Sequence, residues 1–254
     1  MAHPCSEARV ASSRVRRSAG EADVLRFAPL APVLSVERML RIQGYSDLRA
    51  VRPAILETAA AMAQLAAKLS EPSVAYRRTA VCGIDAGVLE IDGGYRQFRC
   101  EAFDRTLKGC TEVVLFVLTV GKRLDGQVIE LIDAGELLEA LLLETAGWLC
   151  IEDATRQFKT RLRDENLARG FRMTSRLGPG YSYKVGEETC MWRLEEQATL
   201  FAAFGPTELP VSLMASSAMQ PKMSRSGLFG VAPLPIAARA TGQASEALRP
   251  VPAA

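Results

Sequence analysis

Apolar residues recur along this chain with two different periods, and the period of each stretch predicts its element. After Ser35, a side-chain cap, the residues Val36, Met39, Leu40 and Ile42 share one side of a short helix that Gly44 terminates. A longer helix follows Pro53, where Ile55, Ala59, Met62, Leu65, Ala66 and Leu69 recur at helical spacing up to Pro72. The pattern then becomes that of a sheet. Thr79 to Ile84 and Val88 to Ile91 are β-prone runs, and Asp92-Gly93-Gly94 makes a hairpin turn before Tyr95 to Phe98. A short helix is expected over Phe103 to Leu107. The unbroken run Val113 to Leu118 predicts a strand covered on both faces.

Gly121 leads into a helix with Leu124, Val128, Leu131 and Ile132 on one side. The strongest helical signal spans residues 136 to 163. There Leu138, Leu142, Thr145, Leu149 and Glu152 follow one another at steps of four and three, which aligns Glu152 with the apolar stripe. That carboxylate lies either where the stripe reaches solvent or against a cationic group in a cleft. A polar loop is expected after Arg163, then a strand over Phe171 to Ser175. A turn, a further loop and a helix from Cys190 to Phe204 follow. Val211 to Ala215 and Ser226 to Val231 read as two strands joined by Met219 to Arg225. The ends carry no periodic pattern, so the expected organisation is an Arg/Ser/Ala-rich disordered tail over 1–32, a single domain over 33–232 and a Pro/Ala-rich disordered tail over 233–254.

Composition narrows the function classes. The 31 basic and 29 acidic side chains leave a formal net charge of +2, so no overall field draws the protein to nucleic acid or to a membrane. No apolar run approaches the roughly 20 residues that cross a bilayer, and a cytoplasmic location is expected. The six cysteines include no C-x-x-C pair, which fits free thiols better than a disulfide framework. The single histidine, His3, lies in the N-terminal tail, so imidazole catalysis and a His-rich zinc site are not expected, and no metal ligands are assigned. There is no internal repeat, no P-loop and no dinucleotide glycine fingerprint.

The densest binding chemistry is Arg176-Leu177-Gly178-Pro179-Gly180-Tyr181. Pro179 fixes φ, Gly180 is free to take φ > 0, and the two hold a guanidinium and a phenol in a defined relation. A planar guanidinium suits a carboxylate. The same residues also suit an ordinary surface turn.

Several blocks occur in a telling order. Leu-Lys-Gly-Cys precedes the hydrophobic strand and Thr119-Val120-Gly121, and the long helix carries Ile151-Glu152-Asp153-Ala154. R-x-x-x-G-Y follows at Arg176, and Met-x-Pro-Lys-x-Ser-x-Ser-Gly at Met219. Over roughly residues 33 to 232 this order resembles the activation (AdoMet-binding) domain of cobalamin (vitamin B12)-dependent methionine synthase, in its freestanding versions. The resemblance implies an α+β fold, a twisted antiparallel sheet with flanking helices in a C-shaped arrangement, and S-adenosylmethionine bound in a shallow groove. It implies that Arg176 holds the methionyl carboxylate and that Gly178, Pro179 and Gly180 bring backbone against the ligand. Tyr181 would occupy the catalytic position on the face turned toward the corrin. Glu152 is the best match to the acidic helix residue that receives the ligand amino group; a zwitterion needs one fixed cation and one fixed anion.

The implied chemistry is reductive methylation of cob(II)alamin by S-adenosylmethionine, in support of methionine biosynthesis. The chain has no D-x-H-x-x-G cobalt-ligand motif, so the cobalamin would sit on a partner, a methionine synthase subunit or another corrinoid methyltransferase or demethylase. A flavodoxin- or ferredoxin-type protein would supply the electron. A scaffold protein retaining the fold is the non-catalytic alternative. Two departures stand out: Ser182 to Met191 is longer and more charged than the family's segment, and the N-terminal acidic ligand contact has no counterpart.

Overall fold

A computed structural model describes residues 23–235 of the chain. The fold begins at strand β1 (Leu25–Phe27), inside the stretch expected to be tail, because these residues pair antiparallel with Val74–Tyr76. At the other end Pro233 closes the last strand and Leu234 N donates to Gly170 O, so that boundary also moves outward. The remainder of both expected tails lies outside the described residues.

Helix α1 (Val36–Ile42) is capped as the sequence predicts: Ser35 Oγ accepts from Arg38 N at 3.2 Å, and Gly44 takes φ 91°. Helix α2 (Pro53–Leu69) opens on proline, where a missing N–H has no helical partner to lose. Strand β2 (Ser73–Asp85) is long enough to serve three neighbours. Its first half pairs with β1, and beyond an irregularity at Val81 to Gly83 its second half pairs with β3 (Val88–Ile91). The Asp92 to Gly94 turn then leads to β4 (Arg96–Arg99), and helix α3 (Ala102–Thr106) follows.

Strand β5 (Glu112–Thr119) pairs with the first half of β2 and is the buried strand that its hydrophobicity predicts. Val114, Phe116 and Leu118 enter one core and Val113, Leu115 and Val117 enter another on the opposite face. Helices α4 (Arg123–Asp133) and α5 (Leu137–Ala168) cover the first face together with α2. Phe158 of α5 is the hub of that core, with ring centroids 5.1 Å from Tyr76 and 5.5 Å from Phe116. Two positions of the predicted stripes differ: Leu138 and Ile132 are exposed, and the buried residues of α5 begin at Ala140.

Helix α5 also runs on to Ala168 where a loop was expected. Its last turns are polar but satisfied: Asn166 is fully buried and accepts from Arg78 at 2.8 Å, and Arg78 pairs with Glu165 at 3.3 Å. A polar residue with a partner in β2 does not look like core in sequence. Strand β6 (Phe171–Leu177) then forms as expected, two residues longer.

The segment Ser182 to Met191 is a hairpin, β7 (Ser182–Val185) and β8 (Glu188–Met191), turning at Gly186 with φ 66°. The expected helix from Cys190 shrinks to a 3-10 turn over Leu194–Glu196 and helix α6 (Gln197–Ala202). Helix cannot start earlier because the backbone of Trp192 is committed elsewhere, its N–H to Tyr181 O and its carbonyl to Gly180 N. The Trp192 ring meets Phe98 and Phe103 edge-on, at 5.6 and 5.1 Å, in the second core.

The run after Pro210 yields only β9 (Ser212–Leu213), paired with β10 (Met219–Gln220). Strand β11 (Ser224–Pro233) begins two residues before the expected Ser226. It inserts between β5 and β6 and completes an open antiparallel sheet in the order β4-β3-β2-β5-β11-β6, with β1 on β2 as the seventh strand. The α+β class and the antiparallel sheet with flanking helices follow. Among the described residues no helix is long and apolar enough to cross a membrane.

Candidate ligand site

Strand β6 pairs Arg176 with Phe229 and Leu177 with Leu228 of β11, then leaves the sheet at Gly178. The Arg176 guanidinium carbon lies 4.3 Å from the centroid of the Tyr181 ring, a cation–π contact, and Nη1 reaches Ser226 O at 3.5 Å. Among the described residues no carboxylate forms an ion pair with Arg176. A half-buried arginine without an anion is electrostatically ready for one. Tyr181 is exposed beside it.

The turn that holds this pair is fixed by its own backbone. Gly178 N donates to the Tyr183 hydroxyl at 2.7 Å, and that hydroxyl donates to Gly178 O at 3.1 Å. Burial pushes the Tyr183 phenol up to about 12, so it keeps the proton that this second bond needs. Gly180, at φ 82°, donates to Trp192 O at 2.7 Å, and Trp192 N returns a bond to Tyr181 O. Pro179 is buried. A Cβ on Gly178 would stand 2.7 Å from Arg176 Nη1, so glycine is what lets the guanidinium fold over the turn. The amides of Gly178 and Gly180 are thus already committed, and what the turn presents outward is the guanidinium, the phenol ring and the exposed Gly180.

Strand β11 builds the wall beside them. Register and alternation put Arg225, Gly227 and Phe229 on the α5 face, the face Arg176 shares through its pairing with Phe229. A Cβ on Gly227 would fall 2.2 Å from Leu177 O, so the close approach of β11 to the turn requires glycine there. Ser226 points to the opposite face and donates to Gln197 Oε1 at 2.9 Å, tying β11 to α6. Before the strand, Lys222 N donates to Asp125 Oδ2 at 2.5 Å and Lys222 Nζ pairs with Glu144. Burial pushes the Asp125 carboxyl up, against the amides of Lys222 and Met223 that favour its charge.

Glu152 meets parts of both readings its position allowed: its side chain is half exposed to solvent and it also faces a cation. Arg225 Nη2 meets Glu152 Oε1 at 2.5 Å, and Arg225 Nη1 donates to Thr155 Oγ1 at 3.2 Å. The structure therefore gathers Arg176, Gly178, Pro179, Gly180 and Tyr181 into one turn and sets Glu152 against Arg225, with Gly227 between the two groups along β11. Gly227 closes the Met219 segment quoted from the sequence, whereas Arg225, Tyr183 and Trp192 were not singled out as site residues. Arg225 could have been found from the alternation of β11, had the strand been started at Ser224.

No family model matches the sequence, and no curated protein does. The fold has a solved counterpart, described as the crystal structure of the MetH reactivation domain bound to AdoHcy. The likeness has a TM-score of 0.52 and covers 83% of this chain and 78% of that one, at 16% sequence identity. This chain has the reactivation-domain fold. In that fold the Arg176 turn and the Gly227 wall stand together because β11 is inserted between β5 and β6.

Proposed function

We propose that this chain is an S-adenosylmethionine-binding activation subunit, supporting a cobalamin-dependent methionine synthase whose cobalamin is carried on another polypeptide. The observation that carries the reading is Arg176: a guanidinium with no carboxylate partner among the described residues, held over Tyr181 by a rigid turn, on a fold shared with a reactivation domain solved with AdoHcy. The fit of the ligand is uneven. Arg176 suits the methionyl carboxylate, and the glycines at 178 and 227 let the guanidinium and β11 pack closely against the turn, but Glu152 already has a cation and would share its carboxylate with the ligand's ammonium.

When bound, S-adenosylmethionine supplies an electrophilic methyl group. The residues of this chain contribute position rather than proton transfer. Arg176 fixes the amino-acid end by paired N–H bonds, and its stack on Tyr181 limits the rotamers it must give up on binding. Tyr181, exposed at the rim, presents a flat face toward a docking corrinoid protein. A flavodoxin- or ferredoxin-type donor supplies the electron to that partner.

The ion pair of Arg225 with Glu152 favours a second reading, in which the fold persists as a scaffold without a ligand. Calorimetric titration of S-adenosylmethionine and S-adenosylhomocysteine into the wild type and Arg176→Ala separates the two. Saturable binding that Arg176→Ala weakens by roughly one to two orders of magnitude supports the activation subunit. Absence of wild-type binding, alone and with a cobalamin-loaded methionine synthase, leaves the scaffold.

A further inference from the structure

Cys100 and Cys190, 90 residues apart in sequence, lie with their sulfurs 3.9 Å apart. Cys100 is buried at the junction of β4 and α3, and both sides of its backbone are anchored, its N–H to Gly87 O and its carbonyl to Phe103 N. Cys190 is partly exposed on β8, directly across the hairpin from Tyr183. Tyr183 is the residue whose hydroxyl closes on both the amide and the carbonyl of Gly178. The two thiols therefore join the second core to the hairpin that braces the Arg176 turn.

We propose that Cys100 and Cys190 form a reversible disulfide, which tethers the β7–β8 hairpin and the Arg176–Tyr181 turn to the β4–α3 junction. The sulfurs need to close by about 2 Å to reach bonding distance. A low-molecular-weight disulfide such as oxidised glutathione serves as the oxidant. Cys190, the accessible sulfur, loses its proton and attacks one sulfur of the oxidant. The S–S bond of the oxidant breaks, one glutathione leaves as a thiol, and a mixed disulfide remains on Cys190. Cys100 then loses its proton to the second departing glutathione and bonds to the Cys190 sulfur. In sum two protein thiols give up two electrons and two protons, and one oxidant disulfide becomes two thiols. Burial pushes the Cys100 thiol up to about 12, so its thiolate is scarce and the more accessible Cys190 is the first to react.

The test uses the full chain equilibrated in glutathione redox buffers, quenched and mapped by non-reducing peptide mass spectrometry, with amide hydrogen exchange measured on both forms. The expected result is a Cys100–Cys190 cross-linked peptide that dithiothreitol reverses, with exchange over 178–191 slowed several-fold in the oxidised form. Cys190→Ser, at the partly exposed position, removes both effects; Cys100→Ser is the reciprocal variant and leaves glutathione on Cys190. A wild type that keeps both thiols or a lasting mixed disulfide on Cys190 overturns the proposal, as does a cross-link without slower exchange. Neither readout depends on ligand binding, so the result is independent of the proposed function.

Discussion

Arg225 crosses from β11 to Glu152 on helix α5, 73 residues away in sequence, and the two partners differ sharply in exposure: the arginine side chain is 9% exposed and the glutamate 46%. Removing either one therefore has unequal consequences. Glu152→Ala leaves a buried guanidinium whose one remaining polar partner among the described residues is Thr155, and is expected to destabilise the protein by about 2 to 3 kcal/mol. Arg225→Met leaves a carboxylate that water can solvate and is expected to cost about 1 kcal/mol or less. Urea denaturation of the two variants checks the order.

Arg176 is the position where the proposed function is most exposed to test. Arg176→Ala is expected to weaken S-adenosylmethionine binding by about 1.5 to 3 kcal/mol, the scale of a charge-assisted hydrogen bond. Arg176→Lys keeps the charge without the planar fork and is expected to recover only part of the loss. Calorimetry on both, with thermal denaturation to confirm folding, measures the difference.

Glycines at two positions are expected to respond in opposite directions. Gly227→Ala drives a methyl to 2.2 Å from Leu177 O, a backbone atom that cannot swing aside, and is expected to cost about 3 kcal/mol. Gly126 lies within α4 with nothing within 4 Å of a Cβ, so Gly126→Ala is expected to stabilise by roughly 0.5 to 1 kcal/mol. Chemical denaturation of the pair distinguishes steric need from backbone freedom.

Asp92 predicts how the fold responds to acid. Burial raises its pKa and is the largest single influence, yet the bonds from Arg77 at 2.7 Å, Thr79 at 2.9 Å and Arg96 at 2.8 Å together hold the carboxyl below its usual range. The folded protein then binds fewer protons than the unfolded chain, so this contribution is fully present above the unfolded value of about 3.9 and is lost as pH falls through the folded pKa. Asp92→Asn keeps a side chain suited to the local φ of 55° while removing the charge. It is expected to lower stability at neutral pH by about 2 kcal/mol and to flatten the acid limb of the stability curve. Because Arg77 and Arg96 also bond the carbonyls of Ala203 and Ala202, hydrogen exchange in α6 is expected to rise in the same variant.

Local patterns in the sequence determine the helices at Val36 and Pro53, the Asp92 turn, the doubly buried β5 and the Arg176–Tyr181 turn. Each depends on periodicity, a cap or a restricted φ, which are properties of a few consecutive residues. Tertiary structure alone decides the rest. The polar end of α5 is helical because Arg78, on another element, satisfies Asn166. Trp192 stays out of a helix because the Arg176 turn takes both of its backbone groups. Glu152 meets Arg225 because β11 is inserted beside the strand that carries the turn. A charged residue reads as solvent-facing until its partner is known, and that partner is fixed by strand order and register, which no single stretch of the chain encodes.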